Sequence, residues 1–277
     1  MTLRATPEEI RRDIKTLKES DDFHEIGVAA IALAGAEDRY ALAALGELLS
    51  SQAGLARLDD LSDPTLDTQR LFQVFQTLAD HPTEDSGRLC EVLFADAEFR
   101  SVPERLNMVL AALAAVVPTS PRGAEIFRAS IGEGYAEVVA PILLRNASPL
   151  ALDVFEELIR GEQVEAYIKI DMLHRALLPT RYLLPVLDMC SRLLDTSLPA
   201  EVREGLIETL FDYQSRRWFG PAMNPPKPLP WEFATTESLR FLVSLANRLL
   251  DQPLADRLQA AVRATLGEVG TLLGAPA

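Results

Sequence analysis

Two groups of residues in this chain have the types and spacing that chemistry needs. The first is Asp171, His174 and Tyr182, set among Glu165, Tyr167, Arg175 and Arg181. Asp171 and His174 stand at i and i+3, so on a helix they share a face. A carboxylate that orients an imidazole makes a general base. The same residues equally form an ion cluster on a solvated or groove-lining helix face. The second group is Arg216, Arg217, Trp218 and Phe219, followed by five prolines between Pro221 and Pro230 and then Trp231 and Phe233. Tryptophan and arginine are the usual energetic centres of protein interfaces. Prolines hold a loop extended, so little entropy remains to be lost when a partner orders it. On the other reading, the two tryptophans pin the segment to its scaffold.

Beyond these two groups the chain offers little chemistry. His24, His81 and His174 lie far apart, and none is spaced with cysteine as metal ligands are. Cys90 and Cys190 sit in apolar helical runs and read as core residues. No nucleophile elbow, zinc-protease motif, EF-hand or paired-cysteine motif occurs. The stretch Ile131-Gly-Glu-Gly-Tyr-Ala-Glu-Val138 has the look of a kinase glycine loop, but Glu137 stands where the third glycine belongs and no partner motif follows. No metal and no cofactor is expected.

The elements that must position these residues are helices. Of the 277 residues, 48% are apolar and only 6% aromatic, and the apolar mass is Leu, Ala and Val. Leu and Ala lose little side-chain entropy in a helix. Helix-start signals recur at Thr6-Pro7-Glu8-Glu9, Asp63-Pro64, Thr83-Glu84-Asp85, Ser120-Pro121 and Ser148-Pro149. Between them apolar residues fall at helical spacing, as in Leu71, Val74, Phe75 and Leu78. This predicts thirteen or fourteen helices and no sheet. The longest apolar runs, 26–36 and 109–118, are too short to span a bilayer. The start of the chain reads as a charged helix instead of a secretory signal, which predicts a cytoplasmic protein.

Net charge is −14. Residues 21–100 hold 16 acids against 5 arginines, a net −11. Such a surface repels phosphate backbones, which excludes nucleic acid and anionic membranes as partners. It favours a basic protein partner.

The chain also repeats itself. Residues 192–210 align without a gap on residues 248–266, with seven of nineteen positions identical. Leu-Leu pairs at 48, 143 and 193, with Leu93 between, close helices at intervals of 45 to 50 residues. Gly134-Tyr-Ala-Glu-Val-Val-Ala-Pro-Ile-Leu-Leu-Arg-Asn-Ala-Ser-Pro-Leu-Ala-Leu-Asp-Val-Phe-Glu-Glu-Leu-Ile159 resembles a HEAT or armadillo repeat, two helices joined at an Asn/Ser break. The resemblance covers most of 38–215 and 236–273 and concerns the fold alone. It implies a single all-α domain over 1–277, a right-handed superhelical stack of six to seven antiparallel helix pairs. In that stack 1–37 and 235–277 are caps and 216–234 is an inserted Trp/Pro loop. A lone helix pair cannot bury both faces, and stacked pairs can.

These readings converge on a monomeric, non-enzymatic scaffold. It would bind a protein partner through its concave face, with Arg216, Arg217, Trp218, Phe219, Trp231 and Phe233 at the rim. An immunity or inhibitor protein covering a basic target is one such case. The competing expectation is an enzyme or small-ligand binder with a pocket between the helix ends and the 215–233 loop, served by Asp171, His174 and Tyr182.

Overall fold

The helix-start signals cap helices. Thr6 accepts a hydrogen bond from the Glu9 N–H at 3.3 Å, and the Glu9 carboxylate accepts one from the Thr6 N–H at 2.7 Å. Two orphan donors are thereby satisfied at once. Thr83 with Ser86, and Thr235 with Ser238, make the same reciprocal pair. Asp22, Asp38 and Ser148 cap from one side only.

The computed structural model describes residues 5–58, 67–129, 139–177, 180–211 and 234–274. Among these residues the regular elements are fifteen α-helices and two 3-10 helices, and no strand occurs. The chain divides into two compact units, 1–142 and 143–277. The first unit contains α1 (Pro7–Glu19), α2 (Phe23–Ala34), α3 (Arg39–Leu49), α4 (Gln52–Leu58), α5 (Asp67–Asp80), α6 (Glu84–Ala95), α7 (Ala97–Arg100), α8 (Pro103–Val116) and α9 (Pro121–Ala129). The second contains α10 (Pro149–Arg160), α11 (Ala166–Leu177), α12 (Leu184–Leu194), α13 (Ala200–Phe211), α14 (Thr236–Leu250) and α15 (Asp256–Leu272). The sequence pattern does not resolve the short helices α4 and α7. The helix expected to end at Leu143-Leu144 is a 3-10 helix, Ala140–Asn146, over its described part. Pro141 has no N–H to donate within it. The Asp63-Pro64 signal lies outside the described residues.

In the first unit α2 packs on α5 and α5 on α8, while α3 packs on α6 and α6 on α9. α1 lies against α2 and α3. Two glycines, Gly27 within α2 and Gly35 at its C-cap, mark the register of the first pair. A Cβ on Gly27 would stand 2.8 Å from the Arg70 side chain, and one on Gly35 would stand 3.2 Å from Thr77. The two helices therefore run in the same direction, with the Arg70 side chain lying directly over Gly27. Leu45, Leu49, Leu71, Phe75, Leu93 and Leu110 are fully buried between the layers. Each such side chain contributes roughly 1.5–3 kcal/mol.

The second unit follows the same rule. α10 packs on α12 and α12 on α14; α11 packs on α13 and α13 on α15. In one layer, arginines tie α12 to α10 and α14 to α12. Arg192 of α12 reaches Glu156 of α10 at 2.7 Å. Arg248 of α14 stands at the matching position of the internal repeat and reaches Ser191 of α12 at 2.7 Å and Asp195 at 3.1 Å. The arginine common to both copies of the repeat thus performs the same task in each. No described helix is long and apolar enough to cross a membrane.

Candidate functional site

α11 carries two of the three candidate catalytic residues, and its own sequence separates them. Tyr167, Asp171 and Arg175 recur every fourth residue and form the solvent face, with Tyr167 exposed at 67%. Met172, Leu173, Ala176 and Leu177 form the buried face, and His174 goes with them, exposed at only 8%. Residues three apart on a helix are about 60° apart around its axis. The boundary between solvent and core falls inside that angle. Asp171 accepts from the Arg175 Nε at 2.8 Å, one turn further on. Tyr182 is buried, its ring lying under the Arg181 guanidinium at 4.8 Å from the centroid.

His174 lies on the face of α11 that packs against α13, and α13 packs in turn on α15. Burial is the dominant influence on its pKa and lowers it; the Glu208 and Asp171 carboxylates act in the opposite direction. The imidazole is therefore neutral at pH 7. Glu208 is buried in the middle of α13 and is ion-paired with Arg257 of α15. The carboxylate that electrostatics ranks first for His174 is thus Glu208, across the helix seam, ahead of Asp171 on its own helix.

The described C-terminal part of α13 shows why the seam is polar. Residues 205–211 are all buried. Side chains from neighbouring elements reach backbone carbonyls in this buried stretch. Arg181 donates to the Thr209 carbonyl at 3.2 Å, and the Thr265 hydroxyl of α15 donates to the Phe211 carbonyl at 3.2 Å. Thr209 turns its own hydroxyl back to the Gly205 carbonyl at 2.7 Å. Lys169 of α11 performs the same service for α10, donating from Nζ to the Gly161 carbonyl at that helix's C-cap. Burial lowers the Lys169 pKa, and nearby Glu162 partly offsets this.

The remaining candidates are quickly placed. Cys90 and Cys190 are fully buried, and burial pushes the Cys90 thiol up to about 12 and the Cys190 thiol upward as well. Neither is a thiolate at neutral pH. Among the described residues no group of His, Cys, Asp and Glu is disposed to hold a metal ion. A shallow hollow of about 390 Å³ between α1, α3 and α4 is lined by Leu17, Lys18, Glu47 and Arg57 among others. A groove of about 550 Å³ between the first turns of α12 and α14 is lined by Leu184, Pro185, Asp188, Glu237, Arg240 and Phe241. Neither includes Asp171, His174 or Tyr182. Arg216, Arg217, Trp218, Phe219, Trp231 and Phe233 lie outside the described residues, as does the 131–138 glycine stretch.

Sequence reasoning missed Glu208, Arg257 and Lys169. One signal was available for the first: Glu208 is the only charge in the run from Gly205 to Phe211, and a lone charge inside an apolar helical run needs a buried partner. Comparison of the chain with known protein families, with curated proteins and with solved structures finds no match.

Proposed function

We propose that this protein is a cytoplasmic, monomeric helical-repeat scaffold of the HEAT-like kind, and that it works by binding a basic protein partner without catalysing a reaction. One observation supports this reading above the others. Several buried polar side chains of the second unit are engaged in tying its elements together: Glu208 with Arg257, Arg181 with the Thr209 carbonyl, Lys169 with the Gly161 carbonyl. Catalysis needs groups aimed at a space that a substrate can enter. The two hollows described above do not contain the histidine, the buried glutamate or the tyrosine.

Two further features support a stack of repeats. In each unit a helix packs on the next helix of its own layer, the neighbour-on-neighbour packing expected of repeat proteins. Arg192 and Arg248, equivalent in the internal repeat, tie successive helices in the same way. The charge of −11 over residues 21–100 supports a basic partner by attraction and by steering encounter.

The test is chemical crosslinking of the tagged chain in its own cells, followed by mass spectrometry and reconstitution with the purified partner. The expected outcome is a saturable complex with a basic protein that weakens as salt rises and is retained by His174→Gln. Turnover of a small molecule by the purified chain, abolished in a folded His174→Gln variant, would refute the reading.

A further inference from the structure

Unit 1 is strongly acidic, yet one of its surfaces carries almost no charge. α2 reads Phe-His-Glu-Ile-Gly-Val-Ala-Ala-Ile-Ala-Leu-Ala, with Glu25 its one charged residue. From Leu71 to Ala79, α5 has none. The two helices lie side by side and run the same way. Their outward positions are Val28 and Ala32 on one, and Phe72, Gln73 and Gln76 on the other. Val28 is 55% exposed and Phe72 53%, and Phe23 adds a third large apolar side chain at the start of α2. Scattered exposed apolar residues are ordinary; a strip depleted of charge and carrying aromatic side chains is the composition of an interface core.

Charge returns at both ends of the strip. Asp21, Asp22 and Glu25 are exposed at the start of α2, with the Arg70 side chain lying over Gly27 nearby. At the other end are exposed Asp80 and Glu37, the latter 3.5 Å from His81. Exposed acids thus stand at both ends, beside Arg57 and Arg70 at the first and Arg39 and His81 at the second. The 12 residues of α2 make the strip about 18 Å long. On the outward face of α6, by contrast, Val92 stands alone between Arg88 and Glu91, both of them ion-paired.

We infer that the α2–α5 strip of unit 1 is the surface on which the protein partner docks, and that the docking element is an amphipathic helix of about three turns with an apolar face and basic residues at both ends. The inference rests on the scaffold reading above and gives it a location and a partner chemistry. The apolar face covers Val28 and Phe72, and the basic ends meet the two acidic groups. A helix laid along the furrow between two parallel helices has a length and an apolar spacing that match the strip.

The probe is a synthetic helical peptide of that design, with leucines on one face and a pair of lysines at each end, against a second peptide with glutamates in place of the lysines. Binding to the full chain is read by fluorescence anisotropy at low and moderate salt. The lysine peptide is expected to bind saturably and more weakly as salt rises, and the glutamate peptide not to bind. Val28→Glu and Phe72→Glu are each expected to weaken binding by about tenfold or more. Val92→Glu, a like change on the other layer, is expected to leave it unchanged. Circular dichroism melts of all three variants establish that they fold. No binding of the lysine peptide overturns the inference. So does binding that survives both strip variants, or that Val92→Glu weakens equally. In those cases a partner found by crosslinking still upholds the scaffold reading, so the two can fail separately.

Discussion

Replacing His174 isolates one buried titration from all others in the molecule. In the unfolded chain its imidazole has a pKa near 6.5. In the fold the value is lower, because burial outweighs the attraction of Glu208 and Asp171. The sign follows from the proton count. Above about pH 6.5 the residue is neutral in both states and stability does not depend on it. Below that, the unfolded chain takes up a proton that the folded chain refuses. Stability is therefore lost as pH falls, until pH passes the folded pKa and both states are charged. One proton sets the ceiling at about 1.4 kcal/mol per pH unit. Urea titrations by far-UV circular dichroism at pH 7.5 and pH 5.5, on the wild type and on His174→Gln, measure it. The wild type is expected to lose more stability than the variant between the two conditions, with the excess no greater than that ceiling over the unit below pH 6.5. Subtracting the variant removes His24, His81 and the carboxylates. Equal losses in the two proteins would refute the argument. A wild type that gained stability in acid relative to the variant would show that Glu208 and Asp171 outweigh burial and that the imidazole is charged in the fold.

Other perturbations follow from the same packing. Glu208→Leu leaves Arg257 without its carboxylate, while Arg257 is itself partly exposed; a loss of about 1–3 kcal/mol in urea titration is expected, and no loss would show that the pair is idle. Gly205→Ala places a Cβ 3.1 Å from Ile170 between α11 and α13 and is expected to cost about 1 kcal/mol or more. Gly267→Ala meets nothing within 4 Å on α15, so the same change there is expected to gain up to about 1 kcal/mol; the opposite order of the two melting temperatures would contradict the assigned seam. Cys90 and Cys190 are expected to resist thiol reagents in the native state and to react on unfolding, since both are fully buried. Rapid native labelling at either would place that helix elsewhere.

The sequence by itself determined the longer helices, though not the short α4 and α7 or the 3-10 turn at Ala140–Asn146. Thr6, Thr83, Ser120 and Ser148 announce helix starts because capping is local chemistry between residues a few positions apart. The period of Leu71, Val74, Phe75 and Leu78 names the buried side of α5 for the same reason, and all four are buried. Cys90 and Cys190 were legible as core from the apolar runs around them. The all-helical class needed nothing more. What the tertiary structure decided is which side chains meet. Spacing put Asp171 and His174 on a common face, but the depth at which α11 sits against α13 drew the solvent boundary between them. The carboxylate that acts most on His174 is Glu208, more than thirty residues away in sequence and brought near because α11 and α13 stack. The roles of Arg181 and Thr265 were equally hidden. They donate to backbone carbonyls in the buried stretch 205–211 of α13, and such donors matter only once neighbouring helices have shut water out. Local hydrogen bonding and helical period are written along the chain. Desolvation and long-range pairing arise only when separate stretches close on one another.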